Sequence, residues 1–168
     1  MLEQKEIDKI KGIIEEFFEK MTIDISNLEV NASSIKRDPQ DKKDQNEENR
    51  EIVDVDIKIN EPQILIGQQG QTLFEIQRLL KTVLNKKLQK VVYLNLDIND
   101  YKNKKVEYLR ALAKDLADQV ASTKEEKALM PMSSYERRVI HAELSQRSDV
   151  ITESQGDSFD RHIIIKPK

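Results

Sequence analysis

The sequence predicts an α+β protein built of two small domains in tandem, and three patterns carry that expectation. Apolar residues recur at three- and four-residue intervals over residues 3–21, 71–87 and 101–121, which is helical spacing. They alternate with polar ones over 51–59 and 91–98, as in half-buried strands. A capping signature at Ser133 and a glycine turn at 155–157 place a short helix and a hairpin near the C-terminus.

The first helix presents Ile7, Ile10, Ile13, Ile14, Phe17, Phe18 and Met21 as one stripe, modestly weakened by Gly12. A strand-like run over 23–35 follows, with Ile25, Val30 and Ile35 as inward positions. Residues 36–50 (KRDPQDKKDQNEENR) hold no apolar side chain and are expected to form a mobile, solvated hairpin loop. In 51–59, Val53, Val55, Ile57 and Ile59 face one way, and Asp54, Asp56 and Lys58 the other.

Asn60 near the N-cap and Pro62 in the first turn start a short helix over 62–66 that stops at Gly67. After Gly70 a second helix runs to about residue 87, with Leu73, Ile76, Leu79, Leu80, Val83 and Leu84 inward. The run 91–98 (VVYLNLDI) closes the first domain as a strand. The expected order is helix, strand, strand, helix, helix, strand, over residues 1–98.

The second domain, 99–168, opens with a long helix carrying Leu109, Leu112, Ala113, Leu116, Ala117 and Val120 at helical spacing. A loop (STKEEKALMPM) leads to a shorter helix, whose start is fixed by the capping box Ser133-x-x-Glu136. The hairpin should run from 149–153 through Gln155-Gly156-Asp157 into 159–165. There is no internal repeat and no long Pro/Gly/Ser linker, so the two halves are expected to abut near Asn99.

The composition excludes several classes of protein. Cysteine is absent, which removes disulfides, thiol catalysis and thiolate zinc sites and fits a reducing compartment. The N-terminal stretch is an acid-containing amphipathic helix rather than a signal peptide, and no run approaches the ~20 apolar residues of a membrane helix. A cytoplasmic protein is expected. The net charge of −3 argues against a nucleic-acid binder, but its distribution softens the objection. Residues 1–50 hold nine Lys/Arg against thirteen Asp/Glu, whereas the remainder holds nineteen against eighteen.

Two motifs carry chemistry. Gly67-Gln68-Gln69-Gly70 joins a short helix to a long one, and two glycines three apart permit a tight turn approachable by a phosphate backbone. The second helix would present its free N–H groups there, with bases in a groove lined by Ile66, Leu73 and the adjacent strand. The competing reading makes Gly67 a helix C-cap and Gly70 a turn residue. Lys58, Arg78, Lys81, Lys86 and Lys87 are candidates for nearby positive charge, although scattered lysines also make ordinary solvated faces. In the second motif Arg137 and His141, four apart on a capped helix, project from one face, with Arg138 about 100° round. Arginine offers a planar fork for phosphate or a stacking surface for a base, and histidine can donate or stack. Alone, such a pair is more often a structural or surface pair than a site.

The glycine turn in its helix–turn–helix frame, between alternating strands, resembles a KH domain, and the helix-first order resembles the bacterial, type II arrangement over 1–98. The stretch PMSSYERRVIH, then Val150-x-Thr152-x-Ser154-x-Gly156 and Arg161-His162-Ile163-Ile164-Ile165, resembles the C-terminal domain of the SpoIIIJ-associated (Jag) proteins. That domain is the R-three-H fold, named for an Arg and a His separated by three residues, which Arg137 and His141 match. The resemblance reaches back through Asp100-Tyr101-Lys102 and the 109–120 helix, so it covers nearly the whole chain.

This resemblance implies a bacterial protein that binds RNA or single-stranded DNA, often beside a small KH-domain partner protein, linked to control of cell elongation and division. Two departures stand out. The N-terminal Jag domain that many members carry is not expected here, and the basic residues usual between the KH glycines are replaced by Gln68 and Gln69. Amides still hydrogen-bond phosphate oxygens but lack the charge-assisted contribution. The expected mechanism is non-catalytic two-site binding, with Gly67, Gln68, Gln69 and Gly70 gripping about four nucleotides of backbone. Arg137, Arg138 and His141, with Ser154, Gly156 and Arg161 beside them, grip a neighbouring stretch. No cofactor or metal is expected. The alternatives are an adaptor whose KH fold has lost nucleic-acid binding, and a hydrolase built on His141, His162 and Ser154. The latter lacks metal-spaced His/Asp clusters, a nucleophile elbow or a nucleotide-hydrolase phosphate loop.

Overall fold

The computed structural model describes residues 4–35 and 50–168, which fall into two units, 1–101 and 102–168. The first contains α1 (Gln4–Lys20), β1 (Asn27–Ile35), β2 (Arg50–Lys58), α2 (Pro62–Ile66), α3 (Gln71–Leu88) and β3 (Val92–Ile98). The proposed loop over 36–50 lies outside the described residues up to 49, and Arg50 opens β2. The side chain of Ile35 lies outside them too.

The sheet order is β1-β2-β3, with β1 antiparallel and β3 parallel to β2. Its register explains the alternation in the sequence. Leu28, Ile57 and Ile98 stand in one row, Val30, Val55 and Leu96 in the next, and Ala32, Val53 and Leu94 in a third. These rows form one apolar face, packed in a single core with Ile10, Ile14 and Phe18 of α1, Leu65 of α2 and Leu73, Ile76, Leu80 and Leu84 of α3. The opposite face carries Glu29, Asp56 and Asp97 directly side by side.

A parallel β2–β3 pair needs a crossover, and α2 with α3 supplies it. The edge strand β3 is also closed by α3, because Asn85 Oδ1 accepts from the Val92 N–H at 2.9 Å and Gln77 Oε1 from the Leu96 N–H at 3.1 Å. Leu79, expected inward, is 55% exposed because it lies about 100° round the helix from the buried Leu80. The N-cap of α2 is Glu61 rather than Asn60, with Pro62 at the first helical position.

Two consecutive left-handed residues, Asn99 (φ 53°) and Asp100 (φ 59°), turn the chain from β3 into α4 (Tyr101–Thr123). The Asn99 amide spans the gap to β2: its Oδ1 accepts from the Ile59 N–H and its Nδ2 donates to the Ile59 carbonyl, both at 2.9 Å. Asparagine tolerates the left-handed conformation better than most residues.

The second unit contains most of α4, then β4 (Lys127–Ala128), α5 (Ser134–Leu144), β5 (Val150–Gln155) and β6 (His162–Pro167), in an antiparallel sheet of order β4-β6-β5. Leu109, Ala113, Ala117 and Val120 of α4 and Ile140 and Leu144 of α5 pack on Val150, Ile163 and Ile165. β4 is a strand that the sequence pattern does not announce, since two residues are too short to show a period. The hairpin's return strand begins at His162 rather than 159. Ser158–Asp160 instead form a 3-10 turn closed by the Asp160 N–H donating to the Asp157 carbonyl at 3.0 Å. Arg147 ties the unit together, its guanidinium donating to both Asp149 oxygens (2.9 and 2.6 Å) and to Asp118 on α4 (2.5 Å).

Candidate nucleic-acid interface

The Gly67–Gly70 turn is the link between α2 and α3. Gly67 ends α2 at φ 69°, ψ −171°, a region essentially reserved for glycine, and its N–H donates to the Gln63 carbonyl at 2.9 Å. Gln68–Gly70 make one 3-10 turn in which Gln69 has φ 53°, and Gly70 caps α3 at φ 86°. A Cβ on Gly67 would lie 2.0 Å from Thr72 Oγ1, and one on Gly70 would lie 2.7 Å from Tyr101 Cε1. Both missing Cβ positions are therefore filled by the chain's own side chains. The tight turn expected from the sequence is present, but packing inside the chain already demands both glycines.

Gln68 and Gln69 are exposed at the start of α3. Leu73 is a core residue rather than a groove wall, because the α3 stripe Leu73, Ile76, Leu80 faces the sheet; Ile66 is half-buried against the same core. Of the expected basic residues, Arg78 pairs with Glu75 at 3.0 Å and Lys87 with Glu16 at 2.6 Å. Lys81 lies over the Tyr93 ring, 4.7 Å from its centroid. Lys58 and Lys86 are exposed.

In the second unit the capping box is formed. Ser133 Oγ accepts from the Glu136 N–H at 3.3 Å, and Glu136 Oε2 accepts from the Ser133 N–H at 2.7 Å. This fixes the helical phase that sends Arg137 and His141 to one flank of α5. The acids of α5 are engaged elsewhere: Glu136 with Lys105, and Glu143 with Lys114 at 2.9 Å and Arg110 at 3.4 Å. Lys105 helps hold the Glu136 carboxyl below its usual range against the opposing effect of burial. Among the described residues no carboxylate lies within ion-pairing reach of Arg137, half-exposed, or Arg138, exposed.

His141 is half-buried and held at both ring nitrogens. Nδ1 lies 2.6 Å from Thr152 Oγ1 and Nε2 lies 3.0 Å from Ser154 Oγ. Burial, helped by the neighbouring Arg137 charge, holds its pKa below the ordinary imidazole value of 6.5, so the ring is neutral at pH 7. A ring bonded at both nitrogens has no donor left for a phosphate, which departs from the role expected of it.

The strand pleat brings Thr152 and Ser154 to His141, since residues two apart share a face. Their register partners Ile165 and Ile163 point into the core below α5. Gly156 (φ 82°) is a turn residue: a Cβ there would meet the Asp160 carbonyl oxygen at 2.6 Å. Arg161 is exposed just before β6, and its carbonyl accepts from the Met132 N–H at 3.1 Å, tying the hairpin to the segment before α5. Arg137, His141 and Ser154 are thus gathered, with Arg161 held near the start of α5. Thr152 belongs with them although the sequence motif does not single it out; its place two residues before Ser154 is the signal. Tyr135 is also exposed, on the Arg138 side of α5. His162 serves the turn, with Nδ1 2.8 Å from the Asp160 carbonyl.

Fold and site define a two-unit α+β protein whose second unit carries an R-three-H domain: that family matches residues 107–167. The chain is a homologue of the Jag-family proteins named RNA-binding protein KhpB. It is 41% identical to the one from Clostridium symbiosum over 123 residues, 73% of this chain and 55% of that protein. It is 36% identical to that of Bacillus subtilis over 124 residues, 73% and 60% of the two chains. For Streptococcus pneumoniae the identity is 31% over 120 residues, 71% and 37% of the two chains. The chain therefore spans between about a third and three-fifths of the length of the curated relatives it matches. Each aligned span is longer than the whole second unit, so the likeness reaches into the first. Among the described residues no helix is long and apolar enough to cross a membrane.

Proposed function

We propose that this chain is a non-catalytic, cytoplasmic RNA-binding protein. It carries a type II KH-type domain over residues 1–98 and an R-three-H domain over 99–168. The observation that carries the reading is the α5 flank. Arg137 stands there without a carboxylate partner among the described residues, beside His141 and the hydroxyls that β5 presents to it, and Arg138 is exposed about 100° round the same helix. Such an array of donors suits a phosphodiester backbone. The helix–strand–strand–helix–helix–strand order and the Gly67–Gly70 turn ahead of α3 support the KH-type assignment. Gln68 and Gln69 would hold backbone there through amide hydrogen bonds. Two modest sites on one chain raise affinity through effective concentration. A small KH-domain protein as partner and a role in cell elongation and division belong to the same proposal.

The test is binding of labelled single-stranded RNA to the whole chain by fluorescence anisotropy. Arg137→Ala combined with His141→Ala weakens binding while the circular dichroism spectrum is kept. Unchanged affinity of that double variant rejects the α5 flank as the binding face. A second reading, a protein-interaction adaptor, is favoured by one observation: Thr72 and Tyr101 account for both glycines without a ligand. Association with a protein partner that ignores salt, together with no RNA binding at low ionic strength, would establish the adaptor instead.

A further inference from the structure

His141 sits between two hydroxyls of one strand, and the two contacts differ in length: 2.6 Å to Thr152 and 3.0 Å to Ser154. A neutral imidazole carries one N–H and one bare lone pair. It therefore gives a proton to one hydroxyl and takes a proton from the other. Hydroxyl donors make the shorter bonds, about 2.7–2.8 Å, and N–H donors the longer, about 2.9–3.0 Å. The assignment that fits is Thr152 O–H donating to Nδ1 and Nε2–H donating to Ser154 Oγ. Thr152 has then committed its proton to the ring. Ser154 accepts from the ring and keeps its own proton for an outside acceptor.

The geometry points to the Ser154 hydroxyl and the Arg137 guanidinium as the pair that contacts a phosphate oxygen of the bound RNA. His141 is a positioning residue that acts through Ser154 and does not touch the ligand. This inference rests on the RNA-binding reading above. Three observations carry it. Both His141 nitrogens are consumed within the chain. Ser154 makes no other side-chain hydrogen bond among the described residues. The acids of α5 are drawn to Lys105, Arg110 and Lys114, and among the described residues no carboxylate lies within ion-pairing distance of Arg137.

The test is a double-mutant cycle on the whole chain with a labelled single-stranded RNA. Ser154→Ala and His141→Ala each weaken binding about tenfold, the loss of one hydrogen bond to a charged group. The double variant binds no more weakly than either single one, because the ring acts only through the hydroxyl. His141→Gln, whose amide can still donate to Ser154, keeps most of the affinity. Multiplicative losses in the double variant would show that His141 contacts RNA directly and overturn the inference, as would wild-type affinity in Ser154→Ala. Should His141→Ala lose its circular dichroism spectrum, Ser154→Ala with His141→Gln decides instead: wild-type affinity in the first, or an about tenfold loss in the second, overturns the inference. A wild-type chain that retains no RNA overturns the RNA-binding reading itself.

Discussion

The Tyr101 ring lies against Gly70 so closely that a side chain on that glycine would stand 2.7 Å from its Cε1 and 2.9 Å from its hydroxyl oxygen. Gly70 is thus held by packing as well as by its φ of 86°. Gly70→Ala should destabilise the first unit by about 2 kcal/mol, combining left-handed strain with a steric clash. Gly70→Asp should do the same, so any loss of binding it shows is not a loss of charge balance alone. Adding Tyr101→Ala relieves the clash, and thermal denaturation of the two single variants and the pair should reveal a coupling. A Gly70→Ala protein that melts with the wild type contradicts the packing argument.

In the proposed KH-type reading, Gln68 and Gln69 hold the positions where a cation would face a phosphate. Under the RNA-binding reading, Gln68→Lys should tighten binding of single-stranded RNA about tenfold at low salt by adding a charge-assisted contact. The slope of log affinity against log salt should steepen by about 0.7 for that one contact. A flat response would place the bound strand away from this turn.

Ser133 closes the box that starts α5. Ser133→Ala leaves the Glu136 N–H without its acceptor and should cost about 1 kcal/mol, read from chemical denaturation of the second unit. RNA binding should fall as well, since frayed first-turn residues no longer hold Arg137 in place. Stability equal to wild type would mean that the box contributes nothing here.

Glu29, Asp56 and Asp97 stand side by side on the polar face of the first sheet. Burial, then the charges of Asp97, Glu29, Asp54 and Asp100, push the Asp56 carboxyl above its ordinary 3.8. The folded state therefore binds this proton more tightly than the unfolded one. The favourable contribution is full below pH 3.8 and is lost as pH rises through the elevated folded value. Asp56→Asn should stabilise the protein at neutral pH by about 0.5 kcal/mol, the scale of a like-charge cross-strand contact. A fall in melting temperature at pH 7 would refute this.

His141 works in the opposite sense. Its burial and the Arg137 charge depress its pKa below 6.5, so the unfolded chain takes up the proton first as pH falls. Stability is lost from pH 6.5 downward through the depressed folded value. An NMR titration should find this imidazole below 6.5, and bound RNA should raise it, because a phosphate near Arg137 offsets that guanidinium's charge. A ring that titrates unchanged with and without RNA would exclude phosphate from the α5 flank.

The sequence by itself determined the longer elements. Period-two runs at 51–59 and 91–98, helical stripes at 71–87 and 101–121, and the Ser133–Glu136 box each became the structure they announce, because burial and capping act locally through fixed spacings. It also placed Arg137 and His141 on one flank of one helix. Tertiary structure decided what those residues meet. Thr152 reaches His141 only through the packing of β5 on α5, Tyr101 reaches Gly70 from the far side of α3 and β3 in the chain, and Leu79 is left exposed because Leu80, beside it on α3, is the residue that packs on the sheet. Spacing along a chain fixes the direction a side chain leaves its own backbone. The identity of its neighbour depends on how separate elements pack, and no local pattern encodes that.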